Sequence, residues 1–150
     1  MWRDRIREIE QEKIIYGEKI NRGATSDEIQ LFLKEIKKEF MFGFPTDYMR
    51  VLQTVDGIEF NGFILYGIDQ HLLEEPQNQS VNGLIESNRL WHENEWQNTY
   101  VFLGESSISW YVYDVSDGEY YELDSPSGRK IDKFQNLDNL IEKLLSDALA

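Results

Sequence analysis

Apolar residues at positions 2, 6 and 9 lie on one side of a 3.6-residue period, so Trp2–Ile15 is predicted as a first helix that stops at Gly17. Thr25-Ser26-Asp27-Glu28 reads as a capping box, with Thr25 at the N-cap and Glu28 three residues on. Ile29, Leu33, Ile36 and Phe40 follow as the buried stripe of a second helix. Gly43 ends that helix. Pro45 then opens a third, short one, with Asp47 near its positive end and Tyr48, Val51, Leu52 and Val55 facing inward, before Asp56-Gly57 closes it.

From Ile58 the period changes from 3.6 to 2. Ile58-Glu59-Phe60, the turn Asn61-Gly62 and Phe63-Ile64-Leu65-Tyr66 read as a hairpin. Residues 71–80 read as a surface loop, and Val81, Leu84, Ile85 and Trp91 as a further helix. Three β runs follow at 99–103, 107–115 and 119–124, with Asp117-Gly118 turning the second into the third. Pro126-Ser127-Gly128 leads into a short strand at 129–134. Asn136 then caps a terminal amphipathic helix bearing Leu137, Leu140, Ile141, Leu144, Leu145 and Ala148. The expectation is a single α+β domain over residues 1–150: an antiparallel meander sheet with N-terminal helices and a C-terminal helix packed on one face.

Charge adds a division that periodicity does not show. The formal net charge is -13, and none of it comes from the ends of the chain. Residues 1–50 carry ten basic and ten acidic groups, and residues 129–150 carry four of each. Residues 51–128 carry one Arg, Arg89, against fourteen carboxylates. Such a field repels phosphate backbones and anionic lipid and steers basic macromolecules inward, so neither direct nucleic-acid binding nor membrane binding is expected. With no Cys in the chain, disulfide frameworks, thiolate zinc sites and cysteine nucleophiles are excluded. No apolar leader or long apolar run is apparent, and the expected location is the cytoplasm.

The search for chemistry is largely negative. His71 and His92 lie in different elements and lack the spacing that puts two ligands on one helical turn, while His92, Glu93 and Glu95 point in different directions from a helix. Gly104-Glu105-Ser106-Ser107-Ile108 lacks the second Gly of a nucleophile elbow, and no phosphate loop or dinucleotide fingerprint is present. Asp114-Val115-Ser116-Asp117-Gly118-Glu119 does not match a calcium loop. A carboxylate-dependent hydrolase would need Asp114 and Asp124 to face one cleft. No catalytic residue, metal or cofactor is assigned.

What stands out is the run 107–115, apolar on both faces: Ile108, Trp110 and Val112 on one, Tyr111, Tyr113 and Val115 on the other. The next strand mixes rings with carboxylates, Tyr120, Glu122 and Asp124 sharing a side that is expected to be exposed, because burying two unpartnered carboxylates is costly. Two readings of Tyr111 and Tyr113 stand side by side: interface anchors, or members of a second small core beneath residues 71–95.

The order of motifs resembles the SUKH superfamily. Asp27-Glu28-Ile29 through Phe40, then Phe44-Pro45-Thr46-Asp47-Tyr48-Met49-Arg50-Val51-Leu52 and Asp56-Gly57, are similar to its helix, its "LPxDY" turn into a second helix and its Gly-bearing turn. Tyr111-Val112-Tyr113-Asp114 resembles its strand ending in Asp, Gly118-Glu119-Tyr120-Tyr121-Glu122-Leu123-Asp124 its "GxVYYLD" strand, and residues 137–145 its closing helix. The resemblance covers about residues 25–146. It implies a noncatalytic α+β domain. Bacterial members are typically immunity proteins encoded beside toxins, many of them nucleases, and related domains occur in a fungal cell-wall-assembly regulator.

Together these readings lead to an expectation: an immunity protein that blocks a basic toxin domain, an RNase or DNase, encoded by a neighbouring gene. Partner contacts are expected from Glu59, Glu74, Glu75, Glu93, Glu95, Tyr120, Glu122 and Asp124, with Trp91, Trp96, Tyr111 and Tyr113 as anchors. The alternative is a general protein-binding regulatory module with no toxin. Homo-oligomerisation through the strand at 129–134 stays open, although its basic residues oppose it.

Overall fold

In the computed structural model, which describes residues 1–40, 43–75, 77 and 81–150, the segments follow the expected order. Helix α1 (Trp2–Ile15) buries Trp2, Ile6 and Ile9, and α2 (Ser26–Glu39) begins at the capping box, where the Glu28 N–H donates to Thr25 Oγ1 at 3.2 Å and the Thr25 N–H to Glu28 Oε1 at 2.9 Å. The α2 stripe is Ile29, Phe32 and Ile36, with Leu33 at its half-buried margin. Helix α3 (Tyr48–Thr54) starts three residues later than Pro45 suggests. Pro45 and Thr46 instead form a turn whose carbonyls accept the N–H groups of Tyr48 and Met49, and this aims the Tyr48 hydroxyl at the Tyr66 carbonyl, 2.5 Å away.

Six strands form one antiparallel meander in the order β1-β2-β3-β4-β5-β6, namely Ile58–Phe60, Phe63–Leu65, Tyr100–Glu105, Ser109–Asp114, Glu119–Asp124 and Lys130–Phe134. The first hairpin turns on Asn61 and Gly62, both at positive φ (53° and 82°), the backbone that matches the twist of the flanking strands. A bulge between Phe102 and Gly104 shifts the alternation of β3. A second one leaves Ile131 unpaired on the free edge strand β6, where Lys130 and Lys133 further discourage pairing with another chain.

Cross-strand partners share a face of the sheet, which assigns the two sides. On one side lie Gly104, Ser109, Tyr111, Tyr113, Tyr120 and Glu122, beneath the C-terminal helix α5 (Leu137–Leu149). Asn136 caps α5 by accepting the Asn139 N–H. The helix lies so close that a Cβ on Gly104 would come within 2.7 Å of Leu144 Cδ1 and 2.6 Å of the Ile64 carbonyl oxygen. Helix α1 packs on the back of α5, where the Trp2 indole N–H donates to the Asp138 carboxylate at 3.0 Å.

The other side carries Phe102, Trp110 and Val112 and is covered in part by α4 (Leu84–Trp91) and by the 3₁₀ turn Glu95–Thr99 that follows it. Asn88 pins α4 to β3: its amide donates to the Phe102 carbonyl and its Oδ1 accepts the Phe102 N–H. The N-cap of α4 is Gly83, which has no side chain to cap with. Asp69 does that work from fourteen residues away, its carboxylate accepting the N–H groups of Ile85 (3.0 Å) and Glu86 (2.9 Å). No described helix is long and apolar enough to cross a membrane.

Candidate partner-binding face

The fold separates the residues expected to act together. Tyr111 is 1% exposed and Glu122 6%, both under α5; Glu122 accepts the Ser109 hydroxyl at 2.6 Å and lies 3.5 Å from Lys143 Nζ on that helix. The expectation that Glu122 is exposed is therefore corrected. Burial is affordable here because a lysine and a serine meet the carboxylate. Burial also pushes the Tyr111 hydroxyl pKa upward, with the negative charge of Glu122 adding to the effect. Tyr113 and Tyr120 are half-buried on the same side with ring centroids 5.1 Å apart, and half-buried Asp124 accepts the Ser127 hydroxyl. A small core does form beneath α4, but the β4 ring in it is Trp110, packed on Trp91 and Phe102. Tyr111 and Tyr113 belong to the α5 side.

The hydrolase reading fails on the same geometry. Asp114 pairs with Glu119 beside the hairpin turn, whereas Asp124 pairs with Ser109 at the far end of the two strands and on the opposite face. Asp114 is tied up locally by the N–H and hydroxyl of Ser116. The two carboxylates cannot converge on a substrate. Among the described residues no group of His, Asp and Glu is placed to hold a metal ion. His92 is packed between Phe40 and Phe102, with Nε2 2.7 Å from the Tyr100 carbonyl oxygen.

Two more carboxylates of the acidic segment serve the interior. Asp69 caps α4 as described, and Asp56 accepts the Ile68 N–H at 2.7 Å. Burial raises the Asp56 pKa to about 6, and the charge of Glu28 pushes the same way. Glu28 itself is held down to about 2 by the Arg22 guanidinium, which meets both its oxygens at 2.8 and 2.9 Å. Glu74 and Glu75 lie at this end of the molecule: the Glu74 N–H donates to Glu28, and both side chains are exposed.

What remains on the face away from α5 is a stack of rings. Trp91 packs on Phe102 (5.6 Å) and on Trp110 (5.3 Å), and Trp96 lies over Trp110 (5.9 Å) and against Tyr100 (6.4 Å). Trp96 is 46% exposed. Ile108, two residues before Trp110, is 66% exposed. Glu93 and Glu95 are exposed beside these tryptophans in the chain, and among the described residues neither forms an ion pair. The only arginine of the acidic segment, Arg89, is taken by Glu39. Cross-strand pairing extends the face through Glu59, Ile64, Glu105 and Trp110, neighbours on successive strands. Glu105 was not singled out from the sequence. A lone Glu at a strand end carries no signal until register sets it beside Trp110. Chemically, this surface offers apolar rings and uncompensated carboxylates, a combination suited to gripping a cation-bearing polypeptide.

Residues 31–141 match the SUKH_6 family, described as SMI1-KNR4 cell-wall. The chain belongs to this family. The match runs from α2 into α5 and includes the whole sheet and all three tryptophans of the outer stack, while α1 lies outside it. SUKH domains are generally noncatalytic immunity or regulator domains, and the family points to protein–protein interaction. No curated protein matches the chain.

Proposed function

We propose that this SUKH domain is an immunity protein that binds and neutralises a cognate basic toxin domain, a nuclease of the RNase or DNase kind, in the cytoplasm. The reading rests chiefly on one observation: the half-exposed Trp96 is stacked on Trp110 beside Trp91, with Glu93 and Glu95 exposed next to it in the chain and Glu105 paired to Trp110 across the strands, and none of the three carboxylates forms an ion pair with a described residue. Inhibition is by occupation. The carboxylates draw in the Lys/Arg groove with which a nuclease holds phosphates, the tryptophans supply desolvated anchors, and no bond is made or broken. Of the residues expected to contact the partner, Glu59, Trp91, Glu93, Glu95 and Trp96 carry this reading. Tyr111 and Glu122 support it only from the interior.

Co-expression with the adjacent gene tests it. Rescue of growth and a stoichiometric co-purifying complex are expected; toxicity that persists with the chain present at equal level overturns the toxin assignment. The SMI1-KNR4 cell-wall description favours a second reading, a regulatory binding module without a toxin. A neighbouring gene that is harmless alone, together with an envelope defect on deletion of this chain, is the outcome that selects it.

A further inference from the structure

We infer that the outer face recognises arginine rather than positive charge in general, with Glu105 receiving a partner guanidinium against the half-buried Trp91 ring and Trp96 covering the neighbouring stem; this rests on the reading of that face as the partner-binding surface. Glu105 is half-buried at the end of β3, paired in register with Trp110. The Tyr66 hydroxyl donates to its Oε2 at 2.5 Å, and the Trp91 indole N–H donates in turn to Tyr66 at 3.1 Å. This relay fixes the carboxylate beside the ring stack, and among the described residues Oε1 carries no hydrogen bond or ion pair. The Tyr66 hydroxyl pKa is raised far above its usual value, by burial first and then by the Glu105 charge, so it stays a donor across the physiological range.

Three features select the occupant. No described Lys or Arg forms an ion pair with Glu105, and the only basic residue of the surrounding segment is committed to Glu39. A half-buried carboxylate fixed by two hydrogen bonds in series demands a partner with directional donors. The flat, half-buried Trp91 indole, linked to Glu105 through Tyr66, favours a planar, weakly hydrated cation. Guanidinium meets both demands, whereas the compact, strongly hydrated ammonium of lysine meets neither as well. Ile64 lies beside Glu105 in register on the neighbouring strand and gives the spot an apolar border.

The test uses two probes that need no knowledge of the natural partner, hexa-arginine amide and hexa-lysine amide, titrated into the full chain near physiological salt. Binding is followed by tryptophan fluorescence and by the indole N–H resonances. A preference for the arginine peptide of about five-fold or more is expected, with the Trp91 indole resonance shifting on binding. Glu105→Gln, which keeps an acceptor for Tyr66, and Trp96→Ala should each abolish the preference, while the equally charged control Glu18→Gln, on an exposed side chain away from this face, should keep it. Melting temperatures confirm that each variant is folded. Equal affinity for the two peptides, or the same loss in the Glu18 control, overturns the inference. Growth rescue is scored separately: rescue without arginine preference sinks this site and leaves the immunity reading standing, and preference without rescue does the reverse.

Discussion

Under α5, Glu122 accepts a serine hydroxyl and faces a lysine, sealed with Tyr111 beneath a helix; across the same sheet, Glu93 and Glu95 are exposed next to a stack of tryptophans and form no ion pair with any described residue. Both regions come from one stretch of chain with one composition. The difference lies in what covers them. An amphipathic helix with six buried apolar residues closes the first side and supplies Lys143, whereas α4 is only eight residues long and leaves Trp96 and Ile108 in solvent. Of the fourteen carboxylates behind the charge imbalance, Asp56, Asp69, Asp114 and Glu122 are buried and hold turns, a cap and a strand in place. Net charge alone therefore overstates the acidity a partner meets.

The sharpest way to break this contrast is to truncate one glutamate on each side. Glu122→Ala leaves Ser109 without its acceptor and removes a countercharge from Lys143 inside the fold, so a loss of about 2–3 kcal/mol is expected in urea unfolding. Glu95→Ala, on an exposed side chain, should stay within about 0.5 kcal/mol. Similar costs for the two would mean that the outer carboxylates are structural after all.

Asp56 supplies a smaller effect of opposite sign. Its folded pKa of about 6 stands above the ordinary 3.8, so the native state binds the proton more tightly and this group's contribution to stability falls as pH rises from about 4 to 6. Asp56→Asn keeps an acceptor for the Ile68 N–H and removes the buried charge. It should stabilise the protein by about 1–2 kcal/mol at pH 7, a gain that fades as pH is lowered through 6. Glu28 behaves in the reverse manner: its carboxyl, held at about 2 by Arg22, contributes stability above 4.5 that is lost as pH falls toward 2. Chemical denaturation of wild type and variant at pH 4.5 and 7 separates the two. Destabilisation by Asp56→Asn at pH 7 would show that the charged form is a net anchor.

Local signals made much of the fold legible and left the faces open. The Thr25 and Glu28 capping box, the Asn61-Gly62 turn and the terminal helix with its Asn136 cap each act within a few residues, and each stands where periodicity places it. Assignment of sides failed because β4 is apolar on both, so alternation cannot say which side a helix takes. The bulge between Phe102 and Gly104 then resets parity along β3, and no composition signal marks it. Asp56 and Asp69 look like turn formers in the sequence. Their work is done on N–H groups twelve and sixteen residues away, a non-local pairing that only the closed fold reveals. Glu105 escaped notice for the same reason.

The smallest predicted effect concerns the rim of the outer face and sharpens the comparison kinetically. Glu93 and Glu95 are exposed and hold no hydrogen bond through their carboxylates among the described residues, so neutralising them removes long-range attraction without disturbing packing. The double substitution Glu93→Gln/Glu95→Gln should slow association with the basic partner by roughly three- to ten-fold at low salt and flatten its dependence on ionic strength, with dissociation almost unchanged. Stopped-flow mixing at two salt concentrations distinguishes the terms. A change confined to the dissociation rate would place these carboxylates inside the contact, desolvated alongside Trp96, and would move the boundary of the binding face outward from the tryptophan stack.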